Sequence, residues 1–190
     1  ELTARGARLG LVGRSPEPLA RLAAALSGGP GEALAIPADL RLGTGRESAR
    51  RAMHQAFGGI DVLINNAGTT DFGNFADQDP EIMEHIVALN LLAPMQLTRA
   101  ILPELLERGS GQIVNLGSVF GAITFPCFAS YSASKFALRG MTECWRAELR
   151  PHGPLLIDRE DLIDDDDAFQ LLDGGLATFQ VRFHRGDERL

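Results

Sequence analysis

The feature that most constrains the fold is a set of four short apolar runs: "ARLGLVGR" (7–14), "EALAIPADL" (32–40), "IDVLINNAG" (60–68) and "GQIVNLGS" (111–118). Each is nearly continuous in Val, Ile, Leu and Ala rather than alternating. That is the pattern of strands buried on both faces of a parallel sheet. Segments with a helical pattern lie between them. Residues 15–27 open with Ser15 at an N-cap position and Pro16 at the first helical position, and close at "SGG". Residues 44–57 are amphipathic and end at "GG", and residues 80–108 and 129–150 are longer apolar-periodic stretches. The start, Glu1 to Arg5, reads as a helix end stopped by Gly6. Strands alternating with helices predict βαβ units with right-handed crossovers, and hence a doubly wound α/β fold with helices on both faces of a mostly parallel sheet.

Composition narrows the function classes. A chain of 190 residues suits one domain. A net charge of −7 repels nucleic acid and anionic membrane surfaces, so neither is an expected partner, although a local basic pocket for a phosphate is compatible with it. The two cysteines, Cys127 and Cys144, form no CxxC and no Cys/His cluster. No metal site or disulfide framework is expected, and a reducing, cytoplasmic setting is the simple reading. Charge, Pro or Gly interrupts the apolar runs, so no membrane span is expected, and the first residues lack a signal-peptide pattern. From about residue 153 the chain changes character, with acids at Asp158, Glu160, Asp161 and Asp164 to Asp167. This run lacks the Gly and terminal Glu of a calcium loop and reads as a solvated segment rather than a metal site. One strand-like alternation follows, "ATFQVRF" (177–183).

In open α/β sheets ligands bind at the carboxyl ends of the strands. The polar and glycine positions there are Gly13-Arg14, Asp39-Leu40, Asn65 to Gly68, and Ser118. The only tyrosine, Tyr131, stands four residues before Lys135 in "YSASKFALRG", so the two share a helix face. An ammonium beside a phenol favours the phenolate, which makes the pair a candidate general acid/base; an amphipathic surface pair is the alternative. Ser118 lies thirteen residues before Tyr131 and can address the same substrate oxygen. Asn90 sits in a helical stretch four residues before Pro94. Proline cannot donate to the carbonyl of residue 90, which leaves either a carbonyl available to water or a simple kink.

"NNAG" after a strand, Asn90 in the next helix, Ser118 after the following strand and then "YSASK" resemble, in order and spacing, the short-chain dehydrogenase/reductase family over roughly residues 1 to 152. The resemblance implies a Rossmann-like fold and hydride transfer between a nicotinamide cofactor and a carbonyl or secondary alcohol. It implies that Tyr131 is the general acid/base, that Ser118 orients the substrate oxygen, and that Lys135 lowers the Tyr131 pKa and binds the nicotinamide ribose. Asn90 would position a water linking Lys135 to solvent. Asn66, Ala67 and Gly68 would pack on the cofactor, and Asp39 and Leu40 would line the adenine pocket. Arg14, following Gly13 where an acid would select NAD(H), points to NADP(H), with a solvated turn charge as the alternative. A homodimer or homotetramer, paired through residues 80–108 and 129–150, is also implied.

Between Ser118 and Tyr131 lie Phe120, Ile123, Phe125, Pro126 and Phe128, either an apolar substrate wall or ordinary core. The resemblance further implies a first strand and a glycine-rich phosphate turn ahead of Glu1, and this sequence contains no such turn. The expected consequence is a gap, or two unpaired edges, in mid-sheet. A further strand and a Pro-Gly turn are implied after the helix ending near Arg150, where the chain has "PHGPLLIDREDLIDDDD". Residues 1–152 are therefore read as the core and 153–190 as a divergent tail. The competing function is a non-catalytic binding or oligomerisation module on the same scaffold.

Overall fold

The computed structural model describes residues 2–152, 155–160 and 178–182. A single 3₁₀ turn, Thr3–Arg5, closes on Gly6 at φ 87°, and β1 (Arg8–Gly13) follows. Then come α1 (Pro16–Leu26), β2 (Glu32–Pro37), α2 (Gly43–Phe57) and β3 (Val62–Asn65). Next are α3 (Pro80–Val87), a π-helical turn (Ala88–Leu92), α4 (Ala93–Arg108), β4 (Gly111–Leu116) and α5 (Ala129–Leu149). The last described elements are β5 (Leu155–Glu160) and β6 (Thr178–Arg182). The expected strands and helices thus form where the apolar runs and caps place them. Ser15 precedes α1 as expected, but its side chain makes no capping bond.

The six strands form one sheet in the order β2-β1-β6-β3-β4-β5. β1 with β2, β3 with β4, and β4 with β5 are parallel. β6 runs antiparallel between β1 and β3, with Val12 opposite Thr178 and Ile64 opposite Phe179. Two expectations are corrected here. The sheet has no central gap, because β6 pairs the backbone groups that β1 and β3 would otherwise leave open. The sheet also does not end at residue 152, since β5 is the further strand, in register from Gly111–Leu155 to Leu116–Glu160. The acidic run at 161–167 lies outside the described residues.

β1 shows why its run is continuous. Leu9 and Leu11 pack on Leu19 and Ala23 of α1, while Val12 joins Met53 of α2 and Leu97 and Ile101 of α4. Both faces are covered, so every position from Leu9 to Val12 is buried. The helical stretch from Pro80 to Arg108 is continuous over 29 residues, started by Asp79, whose Oδ1 accepts from Glu81 N at 2.9 Å. The Ala93 N–H reaches back to Ala88 O, widening the helix just before Pro94, which has no N–H to offer. With a mean hydropathy of 1.3 in its most apolar window, this stretch is long and apolar enough to cross a membrane by length and composition only. Its Ala93, Leu97, Ile101 and Leu105 pack into the main core.

A buried polar chain fixes α5 against the sheet. Asn65 Nδ2 donates to Asn115 Oδ1 at 2.8 Å, Asn115 Nδ2 to Thr142 Oγ1 at 2.9 Å, and Thr142 Oγ1 to Leu138 O at 2.7 Å. Asn65 and Asn115 are register partners on β3 and β4.

Candidate active site

The carboxyl ends of β1, β2 and β3 open into one cleft lined by Gly13, Arg14, Asp39, Leu40, Ala67 and Gly68, together with Val12, Ala38 and Leu89. Five residues expected at the cofactor therefore share one surface; Asn66 is not among the lining residues. The small side chains at Gly13, Ala38, Ala67 and Gly68 leave room for a flat ring to approach backbone, and Arg14 is exposed at the mouth. Asp39 is held by Arg41, whose Nε lies 3.0 Å from both carboxylate oxygens and whose Nη2 lies 2.5 Å from Oδ2. That bidentate bond is the main cause holding the Asp39 carboxyl below its usual range, with a smaller contribution from Arg14 and opposition from burial. Arg46, which sequence reasoning missed, braces this loop by donating to Leu40 O at 2.6 Å and Arg41 O at 2.8 Å. Gly45 is required there, because a Cβ would lie 2.1 Å from Asp39 O. These residues fit the adenosine end of a dinucleotide. At the middle of such a ligand the fit is poorer. β6 presents its first residue, Thr178, at the carboxyl edge of β1, in place of a strand running into a glycine turn.

The remaining expected residues meet at the end of β4. Ser118 leaves the strand in extended conformation and caps the 3₁₀ turn Val119–Gly121, accepting from Phe120 N at 3.2 Å. Ser118 neighbours the Tyr131 phenol and favours its ionised form. Tyr131 is only 7% exposed. Lys135 Nζ donates to Leu116 O at 2.8 Å and lies 5.8 Å from the Tyr131 ring centroid. Gly121 lets this helix approach, since a Cβ there would lie 3.0 Å from Lys135 O.

One electrostatic expectation is corrected. The Tyr131 phenol is raised above its ordinary value of 10.0, mainly by burial, with Ser118 pulling the other way. The expected net lowering by Lys135 is therefore not what the buried phenol shows. Desolvation of a phenolate outweighs an ammonium engaged by a backbone carbonyl.

Asn90 is joined to this set through its side chain, which is 1% exposed: Oδ1 accepts from Thr69 N at 2.8 Å, and Nδ2 donates to Thr69 O at 2.8 Å and Ser134 Oγ at 3.0 Å. Ser134 Oγ in turn donates to Tyr131 O at 2.7 Å. Asn90 therefore clamps the segment after "NNAG" to the turn of α5 that carries Tyr131. Ser134 was missed; its signal was a small hydroxyl residue three positions after Tyr131, in a pattern that already matched.

The phenylalanines divide. Phe128 is core, 8% exposed, but Phe125 is 57% exposed, and Phe72, from the segment after β3, joins them at 69%. Centroid separations are 4.9 Å for Phe120–Phe128, 5.2 Å for Phe72–Phe128 and 6.1 Å for Phe120–Tyr131. Phe72 lies outside the 118–131 segment, so the sequence carries no signal that it joins these rings.

A doubly wound sheet with this cleft, and a Ser–Tyr–Lys set at the end of a neighbouring strand, places the chain in the class of Rossmann-like α/β proteins. The sequence profile of the short chain dehydrogenases matches residues 1–158, and the chain belongs to that family. It is 36% identical over 155 residues to dehydrogenase/reductase SDR family member 7B of Bos taurus, covering 78% of this chain and 48% of that protein. It is 41% identical over 138 residues to ketoacyl reductase HetN of Nostoc sp., covering 73% and 48%. The chain thus spans about half the length of these curated relatives. Among solved structures, it is similar to a short-chain dehydrogenase from Sphingobium yanoikuyae in complex with NADPH, with TM-score 0.77, 30% identity, and 84% of this chain and 63% of that one covered. A bulky-bulky ketone specific alcohol dehydrogenase from Comamonas testosteroni also has TM-score 0.77, at 28% identity, with 84% and 64% covered.

Proposed function

We propose that this chain carries out hydride transfer between a nicotinamide dinucleotide, NADP(H) in preference to NAD(H), and a carbonyl or secondary alcohol. The observation that carries the reading is the buried Tyr131 with Lys135 Nζ 5.8 Å from its ring and Ser118 capping the turn at the end of β4. The nicotinamide, when bound, supplies or accepts the hydride. In reduction, Tyr131 Oη gives its proton to the carbonyl oxygen while the Ser118 hydroxyl holds that oxygen and offsets its developing charge. In oxidation the same two groups work in reverse, Tyr131 taking the alcohol proton. Lys135 would hold the nicotinamide ribose, and the Asn90–Ser134 bonds keep the Tyr131 turn in place. Asp39, Leu40, Ala67 and Gly68 would hold the adenosine end, with Asn66 near it and Arg14 on the 2′-phosphate. A homodimer or homotetramer is part of the proposal, supported by exposed Ile82, Val87, Leu92 and Met95 on the 80–108 helix and Phe136 on α5.

The test is a fluorescence titration of the purified chain with NADPH and with NADH. Saturable binding that favours NADPH is expected, and Arg14→Glu is expected to remove that preference by about tenfold or more, the loss of a charge-assisted contact. Binding that ignores Arg14 would overturn the cofactor assignment. A second reading, a non-catalytic module, is favoured by β6 standing antiparallel between β1 and β3. A folded chain that binds neither cofactor would establish it.

A further inference from the structure

On the segments after β3 and β4, Phe72, Phe75, Ile123 and Phe125 are 69, 65, 55 and 57% exposed. Phe72 and Phe125 are continuous with the reacting phenol through Phe128, whose centroid is 5.2 Å from Phe72, 6.4 Å from Phe125 and 6.5 Å from Tyr131. Phe128 and Phe120 both meet the Tyr131 ring edge-on.

The two segments that carry these rings are tied together. Gly73 N donates to Cys127 O at 3.1 Å, and Cys127 Sγ to Asn74 Oδ1 at 3.7 Å. Ser130 Oγ bonds Gln78 Oε1, and Gln78 Nε2 donates to Asp71 Oδ2 at 3.1 Å. Cys127 is held at φ 68°, a left-handed conformation unusual for a residue with a Cβ. The rings are therefore presented by a braced pair of loops.

Charge around the surface is one-sided. Residues 69–84 contain Asp71, Asp77, Asp79, Glu81 and Glu84 and no Lys, Arg or His, and residues 117–134 carry no charged side chain. An anionic substrate would find no partner on either loop.

We propose that this cluster is the substrate subsite and that it selects an uncharged aryl ketone, or the corresponding benzylic alcohol, over aliphatic and anionic carbonyls. The proposal rests on the reading that Tyr131 addresses the substrate oxygen: the exposed Phe72 and Phe125 flank Phe128, which meets the Tyr131 ring edge-on, and offer their rings to an aryl group next to the carbonyl. Edge-to-face packing then adds to simple burial.

Equilibrium binding to the full chain, followed by ligand-observed NMR, tests this without requiring turnover. The probes are acetophenone, cyclohexyl methyl ketone and phenylglyoxylate. Acetophenone is expected to bind about fivefold or more tightly than its saturated counterpart, and phenylglyoxylate more weakly than acetophenone. Phe72→Ala and Phe125→Ala, both at exposed positions, are each expected to weaken acetophenone about three- to tenfold and to narrow the aryl preference. Equal affinity for the two ketones, tighter binding of the anion, or variants that bind acetophenone like the parent would overturn it. So would a concentration-dependent dimer lost in either variant, since the surface would then join two copies. A chain that binds acetophenone selectively but never consumes NADPH would refute the proposed function and leave this subsite standing. Turnover without aryl preference would do the reverse.

Discussion

At the scale of single residues, chemistry depends on how one phenol is housed. Tyr131 is the only tyrosine in the chain, so the ultraviolet absorbance of tyrosinate reports on it alone. Burial raises its pKa from 10.0, and Ser118 lowers it. In an alkaline titration the native chain should ionise above the range of free tyrosine, and Ser118→Ala should move the midpoint higher still. A native midpoint below 10 would contradict the burial argument. Linkage gives the matching sign for stability. An unfolded phenol ionises first, so this contribution is intact below about pH 10 and lost as the pH climbs to the folded value. The identities of Tyr131, Lys135, Ser118 and Asn90 were legible in sequence because their order and spacing are specific. The direction of the Tyr131 shift was not. Spacing places a lysine on the same face, but only packing shows how deeply the phenol is buried and that Lys135 Nζ is engaged by Leu116 O.

At the scale of elements, the informative one is the helix from Pro80 to Arg108 with its π turn. The π turn at Ala88–Leu92 lets the helix pass Pro94, and Asn90 within it faces the protein interior. Three side-chain bonds from Asn90 join the helix to Thr69 and Ser134. Asn90→Ala would leave those partners unsatisfied in a largely buried place. The expected loss is about 2–4 kcal/mol in urea unfolding, with looser positioning of Tyr131. A change below about 0.5 kcal/mol would show that water replaces the clamp. Sequence made a break near Asn90 visible through Pro94, but gave no sign of the side-chain bonds to Thr69 and Ser134. The Asn65–Asn115–Thr142 chain was likewise hidden. An Asn inside an apolar run carries no periodic signal, and only the β3–β4 register brings the two asparagines side by side. The four parallel strands were legible for the opposite reason, since burial on both faces leaves a continuous apolar run.

At the scale of the whole molecule, one sheet organises both halves of the site. The cleft at the ends of β1 to β3 and the Ser118–Tyr131–Lys135 set at the end of β4 lie along the same carboxyl edge, linked where Gly68 approaches Asn90 Oδ1. The alternation in "TFQVR" was legible as a strand, but its place was not. Periodicity identifies a strand, and only the open edges of β1 and β3 determine that it runs antiparallel between them. The central claim is that this chain is an oxidoreductase in which Tyr131 moves the proton. The most direct measurement is turnover of NADPH with a ketone by the parent chain and by Tyr131→Phe, with cofactor affinity measured on both. The account predicts that turnover falls at least about a hundredfold while NADPH affinity stays within about twofold. A Tyr131→Phe chain that keeps its turnover, or a parent chain that binds NADPH and reduces nothing, would contradict it.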